Sequence, residues 1–183
     1  MFYFLRQNLF EYQNMIKLVG HTIETSALSW IAGHRFAAPL KSQTLMLDPT
    51  HGNKFPDFFD TTVPLMSKRL ISFLVNLGIN NIDTYPVLLR NNVSGEDVGY
   101  FAVNVIGCID AEKLEGSQYR LRFGEPYFTG TIVIDELKVC DSSFFRTFYG
   151  PGFIVISQSI ADELQKESWA GLLLQPTEHY AGV

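Results

Sequence analysis

The side chains able to do chemistry in this chain are few: four histidines, two cysteines and two close pairs of acids. His21 and His34 fall in a stretch without clear periodicity, His51 precedes a glycine in a loop, and His179 lies near the C-terminal end. No H-E-x-x-H motif joins them, so no metal is expected. Asp57 and Asp60 are close enough to serve as paired carboxylates. Glu96 and Asp97 are adjacent and point to opposite sides wherever the chain is extended. Paired-carboxylate chemistry depends on a separation that only folding sets, and the plainer reading of both pairs is solvated loop acids. Cys108 lies in an apolar run, which would raise its pKa and quench it as a nucleophile. With Cys140 it forms neither a disulfide framework nor a zinc spacing, which suits free thiols in a reducing compartment. The sequence has no G-x-S-x-G, no phosphate-binding loop and no dinucleotide fingerprint. The residues point to binding more than to catalysis, and no cofactor is called for.

The elements that would position these groups are organised around Val63 to Leu89. Ser67 is placed to cap a helix whose apolar face is Leu70, Ile71, Phe73, Leu74 and Leu77. Gly78 is placed to end it, and Ile82 to Leu89 reads as a strand. The same grammar returns at a constant spacing. Val155 echoes Leu65, Ser157 echoes Ser67, Ile160 echoes Leu70, Leu164 echoes Leu74, Leu172 echoes Ile82 and Pro176 echoes Pro86. Two copies do not make a solenoid. The echo is either a duplication or the shared grammar of any serine-capped helix that enters a strand.

Between and around these units the sequence predicts mostly strands. Met1 to Arg6, Met15 to Val19, Gln43 to Leu47, Val98 to Ile109, Tyr119 to Phe123, Thr131 to Asp135 and Phe153 to Ile156 all read as extended. Phe144 to Phe148 reads as an edge strand and Trp169 to Pro176 as the last strand. Ala27 to Ala32 and Asp110 to Gly116 are expected to form helical turns. The segment 50–60 is expected to be a loop anchored by Phe58 and Phe59, and Gly124 to Gly130 a turn with exposed aromatics. Asn104, inside an apolar strand, should be hydrogen-bonded. The second helix, with the narrower face Ile160, Ala161 and Leu164, should be the more exposed. Thr177 to Val183 reads as a loose tail. Lys68 and Arg69 stand in the first helical turn, where the helix dipole disfavours cations, so a nearby carboxylate or a binding role is expected. The fold class is therefore α/β in the mixed α+β sense: one domain over 1–183, with a mixed, largely antiparallel sheet, two serine-capped helices and short extra helical turns.

The totals agree. Of 183 residues, 46% are hydrophobic and 18% charged, enough for a core without staples. The aromatic share, 14% with fifteen Phe, is high enough to suggest that some rings face a partner. A net charge of −5 without a cationic stripe argues against nucleic acid and allows steering toward a basic protein. The opening MFYFLRQNLFEYQNMIKLV lacks the cationic start and unbroken apolar core of a signal peptide, and no run reaches roughly 18 apolar residues. A soluble cytoplasmic protein without a membrane partner is expected.

Four motifs in order carry a resemblance: Pro64 to Leu70 (PLMSKRL), Tyr85 to Val87 (YPV), Asn104-Val105 with Asp110-Ala111, and Val155 to Ser157 (VIS). Over about 57–176 the chain resembles the bacterial polymorphic-toxin immunity proteins of family eleven. The resemblance implies an antidote that binds the toxin domain of a secreted effector, such as those of type VI secretion, and blocks it stoichiometrically during interbacterial competition. Such a role needs surface complementarity and slow release rather than a catalytic residue. The loop acids and aromatics Asp57, Phe58, Asp60, Glu96, Asp97, Tyr127 and Phe128 are the toxin-binding candidates. A small enzyme around His51, Asp57 and Asp60, or a scaffold that pairs through a strand edge, remains an alternative; the oligomeric state stays open.

Overall fold

Ser67 opens the first helix as its sequence predicts. In extended backbone (φ −64, ψ 154) its hydroxyl accepts from the Leu70 N–H, and α1 (Lys68–Asn76) follows with Leu70 and Leu74 buried. Gly78 ends the turn at φ 88, a conformation a side chain would resist. The computed structural model describes residues 1–8, 15–19, 30–38, 40–48, 52–91, 94–149 and 152–181. His21 and His51 lie outside them.

The class is mixed α+β, with two five-stranded sheets carrying most of the fold. In the first, β3 (Phe58–Phe59), β4 (Leu65–Met66), β6 (Asp97–Val105), β5 (Ile82–Arg90) and β2 (Gln43–Met46) lie side by side in that order. In the second the order is β7 (Cys108–Ile109), β12 (Phe144–Thr147), β13 (Ile154–Ser157), β1 (Phe2–Gln7) and β14 (Leu172–Pro176). Among the described strands of these two sheets, β2 with β5 and β7 with β12 pair in parallel and the others antiparallel. The helix α3 (Gln158–Gln165) follows β13 as α1 follows β4.

Register shows that the echo is structural. Leu65 and Met66 pair with Ala102 and Phe101, while Val155 and Ile156 pair with Phe4 and Tyr3. Phe101 and Tyr3 then pair on their other sides with Pro86 and Pro176, the two echoed prolines. Phe58-Phe59 and Phe144-Phe145 occupy matching places beside Met66-Leu65 and Ile156-Val155. Each unit is thus a hairpin, a helix headed by a serine and a strand, with one antiparallel strand inserted between the two parallel ones; the expected serine cap forms in the first unit but not in the second, where Ser157 makes no side-chain bond to the helix. The first unit takes that inserted strand, β6, from the segment that follows; the second takes β1 from the other end of the chain.

Strand alternation sends matching residues to matching cores. Met66, Leu70, Leu74, Val103 and Phe58 meet Ile156, Ile160, Leu164, Leu5 and Phe144 in one shared core. On the outer face of the first sheet, Leu45, Phe59, Leu65 and Ala102 pack with Ile16, Trp30 and Leu47. On the outer face of the second, Phe145, Val155 and Phe4 pack under Ala111, Phe128, Ile132 and Val139.

Several local expectations need correction. Met15 and Leu18 form only isolated bridges, to Lys54 and Leu47. Of the turn expected over Ala27 to Ala32, the described residues Trp30 and Ile31 are helical. Within Asp110 to Gly116 only Leu114 to Gly116 turns: β8 (Glu112–Lys113) is extended and pairs with β11 (Val133–Ile134), and a helical turn comes later, as α2 (Glu136–Val139) capped by Asp135. The segment 124–130 is mostly strand: β9 (Tyr119–Arg122) and β10 (Glu125–Phe128) form a hairpin. β12 is interior rather than an edge, flanked by β13 and β7, and all four of its residues are buried. The second helix is not the more exposed, since Ile160, Ala161 and Leu164 are all buried against two such residues in α1. The tail expected to be loose begins with a 3-10 turn (Thr177–His179), and Thr177 and Tyr180 are buried. For β12, the second helix and the C-terminal turn, a tertiary neighbour supplied cover that local pattern does not report.

Candidate functional site

Asp57 shows why acids near Ser67 are not a reaction centre. Its Oδ1 accepts from the Ser67 hydroxyl at 2.6 Å and its Oδ2 from the Ala170 N–H at 2.9 Å. Its backbone is paired too, the N–H donating to the Ala170 carbonyl and the carbonyl accepting from the Ser67 N–H. Asp57 is buried and ties the entry of α1 to the approach of β14. Arg69 lies 3.7 Å from the same carboxylate and 3.3 Å from that of Glu167, and it donates to the Ser168 carbonyl at 2.8 Å. Its guanidinium also stacks 4.2 Å above the Trp169 ring. These partners offset the helix dipole, as the sequence requires of a cation in the first turn.

The other candidates separate. Asp60 is ion-paired with Arg6, and its N–H donates to Gln7 Oε1 at 3.4 Å. Asp97 takes a two-pronged contact from Arg90, at 2.8 and 2.7 Å, across the base of the β5–β6 hairpin, which holds its carboxyl below the usual range. Glu96 is exposed beside Ser94 in that turn. Phe58, expected on a loop surface, is a strand residue 1% exposed in the shared core. Phe128, expected to be exposed, is buried under the second sheet, because alternation along β10 turns it inward and Tyr127 outward. Asn104 is fully buried and its amide donates to the His34 carbonyl at 2.8 Å, a structural role. Burial raises the Cys108 thiol pKa, in line with a silent thiol. Among the described residues no three His, Cys, Asp or Glu side chains converge.

What the structure presents instead is a hairpin with exposed apolar residues on both faces, Tyr119 and Leu121 on the face of Phe128, and Tyr127 on the other. Tyr119, Leu121, Phe123 and Tyr127 are all exposed on β9, β10 and the turn between them, Leu121 by 69% and Phe123 by 96%. Arg122 leans over the Phe123 and Tyr127 rings, 5.7 and 5.9 Å from their centroids. Behind the hairpin a cleft of about 550 Å³ is walled mainly by aromatic rings, among them Phe128, Tyr149, Phe153 and Tyr180. Arg122 pairs with Glu125, so the turn has only two central residues, Phe123 (φ 55) and Gly124 (φ 86). Two positive φ values are what a tight hairpin turn matched to strand twist requires, and Asn-Gly is the pair that adopts it most readily. A phenylalanine there is a conformational outlier. Of the sequence candidates only Tyr127 is exposed on this hairpin, on the face opposite Tyr119 and Leu121. Leu121 and Phe123 were missed because strand alternation over Tyr119 to Phe123 does not show which face is covered.

No protein-family model matches the chain. No curated protein shows significant similarity to it. Among the described residues no helix is long and apolar enough to cross a membrane.

Proposed function

We propose that this protein is an immunity protein: it binds a toxin domain of a secreted effector in the cytoplasm of the producing bacterium and holds it inactive. The observation that carries the reading is Phe123. A bulky side chain at positive φ costs roughly 1–3 kcal/mol, and at 96% exposure it recovers almost none of that by packing within the chain. Such strain is retained where a site needs it, and aromatic residues are the usual anchors of protein interfaces. The hairpin therefore serves as the contact surface, with Phe123 at its tip and Leu121, on the face of Tyr119, as anchors. The motif order from Pro64 to Ser157 supports the immunity family, but those residues build the core and say nothing of the contact.

Calorimetry with the C-terminal domain of the effector encoded beside this protein, followed by assay of toxin activity, tests the proposal. The expected result is one-to-one binding with loss of activity, and at least about a thirtyfold loss of affinity for the Leu121→Asp/Phe123→Asp variant. Absence of heat at micromolar concentrations would overturn the immunity reading. Full affinity in the double variant would overturn the hairpin as the contact.

A further inference from the structure

The hairpin β9–β10 is a two-stranded sheet of its own, joined to neither five-stranded sheet. A ribbon of two strands is marginal in water and gains most from a third. Its two edges differ. Arg122 and Glu125 flank a turn of two residues, so they exchange the hydrogen bonds that close it, and Arg120 with Tyr127 is the next bonded pair. The Thr129 N–H, donating to the Gln118 carbonyl at 2.9 Å, continues the alternation. The intervening pairs, Leu121 with Pro126 and Tyr119 with Phe128, turn their backbone groups outward. On β10 one outward position is Pro126, which has no N–H to offer, a usual way to blunt an edge. On β9 the outward positions are Tyr119 and Leu121, each with an N–H and a carbonyl. All four residues of β9 are exposed, and among the described residues its only strand partner is β10. The edge of β9 is open.

Side chains say what fits there. Along β9, Tyr119 and Leu121 share one face and Arg120 and Arg122 the other. Among the described residues Arg120 has no ion-pair partner, and Arg122 meets only the Phe123 and Tyr127 rings. A second copy of the chain fits poorly. Antiparallel pairing of β9 with itself, centred on Arg120, Leu121 or Arg122, sets arginine opposite arginine, which is destabilising. A strand with carboxylates at those places and apolar side chains between them matches both faces. With Arg120 and Arg122 against Glu125, the hairpin carries a net +1 on a chain of net −5. Its complementarity is therefore local and separate from the steering exerted by the whole chain.

We infer that the edge of β9 takes up, antiparallel, an extended segment of a partner protein whose carboxylates face Arg120 and Arg122 and whose apolar side chains lie against Tyr119 and Leu121. Backbone bonds to Tyr119 and Leu121 hold the added strand, and the alternating side chains select it. The inference rests on the hairpin being the toxin contact and gives that contact its chemistry.

Two acetylated, amidated peptides, TEVEVT and TKVKVT, titrated into the full chain and followed by amide NMR, test it. TEVEVT is expected to shift the Tyr119 and Leu121 amides and slow their hydrogen exchange, with TKVKVT at least about tenfold weaker. Methylating the backbone nitrogens of both valines, whose N–H groups antiparallel addition turns toward β9, should abolish the response; methylating those of both glutamates should not. Arg120→Glu/Arg122→Glu changes only exposed positions and should exchange the preference between the two peptides. The same variant should weaken binding of the toxin domain at least about tenfold. The inference is overturned if TEVEVT gives no response at about 5 mM, if TKVKVT binds as well, if methylated valines matter no more than methylated glutamates, or if the double variant keeps the parent's preference. Silent peptides with the toxin domain still bound would overturn this inference and leave the immunity reading in place. A peptide response without toxin binding would do the reverse.

Discussion

The first unit and the second share strand order, register and a serine at the head of the helix, yet they are secured differently. In the first, Ser67 caps α1 and is itself held by the buried Asp57. In the second, Ser157 makes no bond to the α3 backbone, and its hydroxyl meets that of Ser159 at 2.9 Å. The place of Asp57 is taken by Ser143, whose carbonyl accepts the Ser157 N–H but which supplies no carboxylate. Asp60 matches Arg146, and Arg6 in the inserted strand matches Asn104. Arg6 and Asp60 therefore close as an ion pair, while Arg146 and Asn104 Oδ1 keep polar atoms without partners. A shared backbone plan tolerates such divergence because apolar residues set the register, leaving the polar positions free to acquire other roles.

The largest expected effect breaks the first unit's lock. Asp57→Ala should destabilise the protein by about 3 kcal/mol, since it orphans the Ala170 N–H and frees Ser67 in a buried site. The matching Ser143→Ala should cost less than about 0.5 kcal/mol. Denaturant midpoints of the two variants measure the contrast, and equal losses would show that the units are secured alike.

A second contrast sets the covering layer of the second sheet against both units. Glu112 is 3% exposed, and although the Tyr149 N–H at 2.9 Å and the Phe148 N–H at 3.4 Å donate to it, burial pushes its pKa up to about 7. A carboxyl with a raised folded pKa holds its proton more tightly folded than unfolded. The resulting penalty is absent below about 4.5, grows as pH rises, and is complete above about 7. Stability of the parent relative to Glu112→Gln should thus fall by about 2–3 kcal/mol between pH 4 and pH 8. Parallel stability–pH curves for the two proteins would show that Glu112 titrates normally.

Smaller effects sharpen the comparison of the caps. Ser67→Ala should cost about 1–2 kcal/mol and Ser157→Ala only a few tenths, read from thermal unfolding. A change of opposite sign falls on the hairpin. Phe123→Asn should raise stability by about 0.5–1 kcal/mol, because Asn accepts positive φ where Phe resists it. If the same variant weakens toxin binding, stability and function at the turn are opposed; a stability loss would show that Phe123 packs where the structure leaves it exposed.

Much of this architecture is legible in the residues themselves. Ser67, the apolar spacing of α1, Gly78 and the extended run Ile82 to Leu89 are local signals, and the matched prolines Pro86 and Pro176 marked an echo whose two copies register places equivalently. Those features depend on neighbours a few positions away or on a repeated pattern, so a one-dimensional reading reaches them. The fates of Phe58, Phe128, Asp57 and Arg146 were decided by residues far along the chain. Ala170 and Ser67 close on Asp57, the core of both units closes on Phe58, and β1 arrives from the other end of the chain to complete the second sheet. Alternation fixes that Tyr127 and Phe128 face opposite ways, but which face is covered depends on what packs there, and only the tertiary fold supplies that layer.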